Sequence, residues 1–166
     1  FVDVTEDCEV QIIFDEKVGD VLKAQGKGSL RIELNKLYEL SMYGEYEVYK
    51  GDYLFTLENV INKKLQLRQG GMIYWSGDPY TAKINASAMY EVRTSPYPLM
   101  QNHALGSADS MRYKSKTTTQ VIVNLKGDLM NPLISFDIEF PTQSDEFKTA
   151  INERLTSEDE RNKQAF

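Results

Sequence analysis

Residues 134–140 read Ile134-Ser135-Phe136-Asp137-Ile138-Glu139-Phe140, and residues 29–34 read Ser29-Leu30-Arg31-Ile32-Glu33-Leu34. In both stretches every second side chain is apolar and those between are polar. Side chains of an extended strand point alternately to opposite faces, so each stretch is a strand with one greasy face and one wet face. Weaker copies of the pattern run through Val10-Ile12-Phe14, Leu40-Met42-Gly44-Tyr46-Val48, Tyr53-Phe55-Leu57, Leu65-Leu67, Ile84-Ala86-Ala88-Tyr90 and Val121-Val123-Leu125. Ile13, Leu54 and Ile122 interrupt it.

Turn residues divide these runs. Lys50-Gly51 sits between two strand candidates, and Gly70-Gly71, between Leu65–Arg68 and Met72–Trp75, can supply the positive φ angles of a two-residue hairpin turn. Gly77-Asp78-Pro79, Gly127-Asp128 and Asn131-Pro132 mark further breaks. Short links between successive strands favour an antiparallel meander. The fold class expected is therefore all-β, with residues 1–143 as the β domain. Residues 95–119, which include Pro96 and Pro98, form a polar excursion from the sheet. In the tail, Phe147, Ile151 and Leu155 fall at helical spacing, and Ser157-x-x-Glu160 is a capping box for a second short helix. Residues 144–166 are thus a short helical tail, mostly polar, acting as a cap or connector.

The chain of 166 residues can bury one continuous core. A net charge of -6 argues against a nucleic-acid partner and against electrostatic docking to anionic headgroups. Cys8 is the single cysteine, so no internal disulfide forms; beside the first strand it reads as a buried, inert thiol. No stretch approaches the length of a spanning helix. The chain begins at Phe1 rather than Met and reads as a cut from a longer exported protein, whose signal or anchor would lie outside it.

Catalytic chemistry has little to build on. His103, the only histidine, falls in the polar excursion, far in sequence from Cys8. The four Gly-Asp pairs at residues 19, 51, 77 and 127 stand nearly alone. A calcium loop gathers several carboxylates within about a dozen residues, so turn formation explains them better. No metal, cofactor or catalytic site is expected. Tyr43, Tyr49, Tyr74, Tyr80, Tyr97 and Tyr113 lack an apolar-face assignment and leave open a sugar-stacking surface, although tyrosine also simply favours strands. The apolar stripe is equally consistent with a filled core or a lined groove.

Residues Gly51–Tyr90 carry a resemblance. The ordered pieces Gly51-x-Tyr53-x-Phe55, Asn59-Val60-Ile61-Asn62-Lys63-Lys64, a glycine-linked hairpin, Trp75-x-Gly77-Asp78-Pro79 and Asn85-x-x-Ala88-x-Tyr90 resemble the C-terminal region of Bacteroidetes-type TamB proteins. Ile12-Ile13-Phe14-Asp15, Gly26-x-Gly28, Gly44-x-Tyr46 and the run from Leu125 through Asn131-Pro132 to Ile138 are similar to the same family; Met100–Lys116 matches no family pattern. The resemblance implies a meander curled into a trough with an apolar interior, without catalytic residues. It implies a periplasmic location, in a parent anchored in the inner membrane and reaching toward the outer membrane. The implied partners are phospholipid acyl chains and an Omp85-type (TamA-like) outer-membrane barrel protein. The function expected is to shield acyl chains during phospholipid transport to the outer membrane; the alternative is a docking or assembly module that pairs a sheet edge with the barrel protein. The lining would come from the alternating set: Ile12, Phe14, Leu30, Ile32, Leu34, Met42, Val48, Phe55, Leu57, Leu65, Leu67, Ile73, Ile84, Ala86, Val121, Val123, Leu125, Ile134, Phe136 and Ile138.

Overall fold

The computed structural model describes residues 1–15, 19–57, 61–100 and 107–153. Its strands are β1 (Val2–Val4), β2 (Glu9–Asp15), β3 (Asp20–Leu34), β4 (Leu40–Leu57), β5 (Ile61–Leu67), β6 (Gly71–Gly77), β7 (Lys83–Thr94), β8 (Thr117–Asp128) and β9 (Asn131–Glu139). Two helices, α1 (Ser107–Lys114) and α2 (Asp145–Asn152), complete it with short 3-10 turns at Pro79–Thr81 and Tyr97–Met100. The strands join one sheet in the order β1-β3-β4-β5-β7-β8-β9, with β2 also beside β3, and β6 beside β4 and β7. The expected all-β class with a small helical part is the observed one.

Two turns differ from expectation: one is a bulge within a long strand, and the other joins two strands that run on in the same direction. Lys50-Gly51 does not separate two strands, because β4 runs unbroken for 18 residues. Its register against β3 steps from Gly26↔Val48 to Gln25↔Lys50, leaving Tyr49 as an extra residue. One inserted residue reverses the parity of everything beyond it. That is why the inward side chains of β4 are Tyr46 and Val48 before the bulge and Tyr53 and Phe55 after it. Nor is Gly70-Gly71 a hairpin. β5 pairs with Asp52–Leu57 and β6 with Met42–Val48, both antiparallel to β4, so they run one after the other along it. Gly70, at φ 89°, makes the jog between them, and its N–H donates to the Val48 carbonyl at 2.9 Å. β1 and β2 lie end to end along β3 in the same fashion.

By packing, the chain divides into two compact units, residues 1–89 with 123–134, and residues 90–122 with 135–166. The core of the second is Met100, Tyr113, Ile138, Phe140, Phe147 and Ile151. The stretch 95–119 is therefore no mere polar loop: a 3-10 turn and α1 carry Met100 and Tyr113 into that core. The tail helix α2 is likewise a core element of this unit, since the Phe147 ring meets Tyr113 and Phe140 at centroid distances of 5.0 and 5.5 Å. Ser144 caps α2 by accepting the Phe147 N–H, and Asp145 and Glu146 suit the positive end of its dipole. The capping box at Ser157 and residue His103 lie outside the described residues.

Candidate functional site

The registers line the apolar side chains up in rows across neighbouring strands. One row is Ile12, Leu22, Tyr53 and Leu65. Another runs Gly28, Tyr46, Ile73 and Ile84. A third is Val2, Leu30, Gly44 and Trp75. Between the second row and the bulge, Gly26, Val48 and Gly71 face one another in small-residue contact. A Cβ on Gly71 would stand 2.9 Å from that of Ala86, so the backbones here meet as closely as their side chains permit.

Exposure along this face is graded. Leu22, Tyr46, Leu65 and Ile73 are completely buried. Moving along β3, Leu30 is 7% exposed, Ile32 44% and Leu34 62%. Opposite them on β4, Met42 is half-buried and Leu40 exposed. At the other end of the rows Ile12 and Phe14 are half-buried, Phe14 edge-on to the Tyr53 ring at 5.8 Å. The face is thus packed by the chain's own side chains at its centre and open at both ends.

Of the sequence-derived set, Val48, Phe55, Leu65, Leu67, Ile84, Ala86, Val123 and Leu125 are buried in the first unit along with Leu30 and Ile73. Ile134, in the same unit, is exposed. Val121, Phe136 and Ile138 are buried but belong to the second unit. Leu57 ends β4, and its side chain lies outside the described residues. The sequence-derived lining omits Leu22, Ala24, Trp75 and Tyr46, although Tyr46 stands in the alternating run of residues 40–48. Leu22 and Ala24 share the even parity of Leu30, the signal that could have placed them.

The opposite face is mostly polar, apart from the row Ile13, Val21 and Leu54. Lys27 pairs with Glu47 at 3.5 Å, Arg31 with Glu33 at 3.1 Å and Lys64 with Asp52 at 3.0 Å; such exposed pairs add little stability. Of the tyrosines without an apolar-face assignment, Tyr74 and Tyr80 are exposed. Cations sit over the rings of Tyr43, Tyr49 and Tyr97, and Tyr113 is buried in the second unit. Lys27 is held above its usual pKa chiefly by hydrogen bonding to Tyr49. Burial lifts the Tyr46 hydroxyl to about 12 and pushes Tyr53 up still further, with the charge of Asp20 helping at Tyr53.

Cys8 corrects the expectation of a buried thiol. It is exposed, because it lies in the turn between β1 and β2, where its N–H donates to the Thr5 carbonyl at 2.9 Å. Among the described residues no group of three His, Cys, Asp or Glu side chains is placed to hold a metal ion. Among them, too, no helix is long and apolar enough to cross a membrane.

A family model described as the TamB C-terminal domain matches residues 1–166, the whole chain. No curated protein and no solved structure matches significantly.

Proposed function

The chain belongs to the TamB C-terminal domain family, and on that premise we propose that its apolar face shelters lipid acyl chains on their way to the outer membrane. The family works in the translocation and assembly module of outer-membrane biogenesis and is not an enzyme family. Its setting is the periplasmic side of the envelope. The observation that supports the reading is the continuation of one apolar face beyond its packed centre, to Ile32, Leu34 and Met42 on one side and Ile12 and Phe14 on the other. Each methylene withdrawn from water is worth about 0.8 kcal/mol, so a partly covered aliphatic wall is a favourable resting place for an acyl chain. Headgroups would stay in water beside the charged face. Passage along the whole face requires the packed rows at Tyr46 and Ile73 to part.

The test is binding of a phospholipid bearing a fluorescent acyl chain, at concentrations below vesicle formation. Ile32→Asp and Leu34→Asp should each weaken binding about tenfold, the loss expected for one aliphatic contact. Unchanged binding would contradict the reading.

A second reading, docking to an Omp85-type barrel protein, is supported by the place of β9 at the end of the sheet order. Such an edge can accept a partner strand. A proline at Leu133, an exposed position of the same strand, should abolish recovery of the barrel protein in a pull-down; recovery undiminished by that change, in a chain that remains folded, would dismiss it.

A further inference from the structure

The hairpin joining β3 to β4 outreaches the strands on either side of it. β1 stops opposite Leu30, and β6 ends opposite Met42, so among the described residues nothing pairs with the outer edges of Arg31–Leu34 or Leu40–Ser41. The free ribbon extends roughly 13 Å beyond Leu30 before its turn, at the usual rise per residue. Isolated two-stranded ribbons are marginal in water, and this one is braced locally. Asn35 Oδ1 accepts the N–H groups of Leu37 at 2.8 Å and Glu39 at 3.0 Å, while its amide donates to the Glu39 carboxylate at 2.6 Å. On one side Arg31 lies over the Tyr43 ring at 4.6 Å and pairs with Glu33.

What this bracing presents to solvent includes a run of large apolar side chains among exposed charged ones. Leu37 is 76% exposed and Tyr38 86%, backed by Leu34, Ile32 and Leu40. Tyr38 is held at φ 63°, the left-handed region that a bulky side chain rarely adopts, and it is the only non-glycine residue with positive φ among those described. The charges of Arg31–Ser41 cancel, with Arg31 and Lys36 against Glu33 and Glu39, although the chain as a whole carries -6.

We propose that this hairpin is a membrane-surface anchor, inserting Leu37 and Tyr38, with Leu34 and Leu40 behind them, into the interfacial layer of a lipid surface. Net charge selects a bilayer over a second copy of the chain: two chains of charge -6 repel each other, whereas an uncharged lipid surface repels neither. An electroneutral peg needs neither a matching surface nor an anionic headgroup: Leu37 and Tyr38 can enter the interfacial layer while Lys36, beside them in the turn, keeps its ammonium at headgroup level on its long stem, with Glu33 and Glu39 behind. The inference shares Ile32 and Leu34 with the acyl-chain reading but is decided at Leu37 and Tyr38, which stand outside the proposed lining, so the two can fail separately.

The experiment is flotation of the 166-residue chain with phosphatidylcholine vesicles at low and high salt. Co-flotation that salt does not weaken is expected. Leu37→Glu and Tyr38→Glu should each reduce it about tenfold or more, as loss of one buried large side chain implies. Leu133→Glu, at a comparably exposed leucine elsewhere, should leave it unchanged. Circular dichroism of each variant establishes that the sheet is intact. A chain that fails to float overturns the proposal. So does flotation that needs anionic lipid and vanishes in salt, or that is lost equally in Leu133→Glu. Self-association abolished by Leu37→Glu, without flotation, would assign the hairpin to a second copy instead.

Discussion

The Tyr46 hydroxyl donates a hydrogen bond to the Ala24 carbonyl at 2.9 Å, reaching diagonally across the β3–β4 pair from its register partner Gly28. It does so past Gly26, where a Cβ would stand 3.0 Å from the tip of the Tyr46 ring and 2.0 Å from the Glu47 carbonyl oxygen. The ring therefore occupies the space that two glycines leave open, beside the bulge at Tyr49. It fastens the two longest strands of the first unit where their parity changes.

Replacing Tyr46 by Phe keeps the ring and leaves the Ala24 carbonyl without that donor. The expected cost is about 1–2 kcal/mol in chemical unfolding, against roughly 3–5 kcal/mol for Tyr46→Ala, which also empties the space. Equal costs for the two would deny the hydroxyl a structural part.

Gly26→Ala should be far worse than Gly70→Ala. At Gly26 the new carbon meets backbone, so the strands must separate, whereas at Gly70 nothing lies within 4 Å. The second change carries only the strain of φ 89°, on the order of 1–2 kcal/mol. Thermal melting of both variants orders them.

Alkali should unfold the protein through its buried tyrosines. Burial disfavours the phenolate, so the folded-state pKa of Tyr46, about 12, lies above its ordinary value of 10.0, and Tyr53 shifts the same way. Raised folded values mean that their contribution to stability is fully present below pH 10 and fades as pH climbs toward 12. Denaturation midpoints measured across that window should fall, and Tyr46→Phe should make the fall shallower. A midpoint indifferent to pH there would contradict the burial argument.

Asn35→Ala should loosen the hairpin turn without unfolding the sheet. Hydrogen exchange at the Leu37 and Glu39 amides should quicken while that at Tyr46 stays slow, since local openings cost less than global ones. Uniform quickening throughout would show that the turn braces more than itself.

Much of this architecture is legible in residue pattern. The alternation at 134–140 and 29–34 gives β9 and β3, and the spacing of Phe147 and Ile151 gives α2. The bulge at Tyr49 was not legible, because one extra residue with a glycine after it looks, in sequence, like the turn between two strands. Gly70-Gly71 misled for the same reason: positive φ serves a jog as well as a hairpin. The part of Phe147 in a core depended on Met100 and Tyr113, which are distant in sequence and lie in a stretch of polar composition. Parity placed the apolar face. It did not reveal that Leu30 is covered while Leu34 is open, since that depends on where β1 and β6 end.

The account stands on the apolar face of β3 meeting lipid in the cell. A photo-crosslinking side chain at Ile32, compared with one at Arg31 on the opposite face of the same ribbon, measures this directly. Phospholipid adducts at Ile32 and few or none at Arg31 are predicted. Adducts to protein alone at Ile32, or equal lipid capture at both positions, would contradict it.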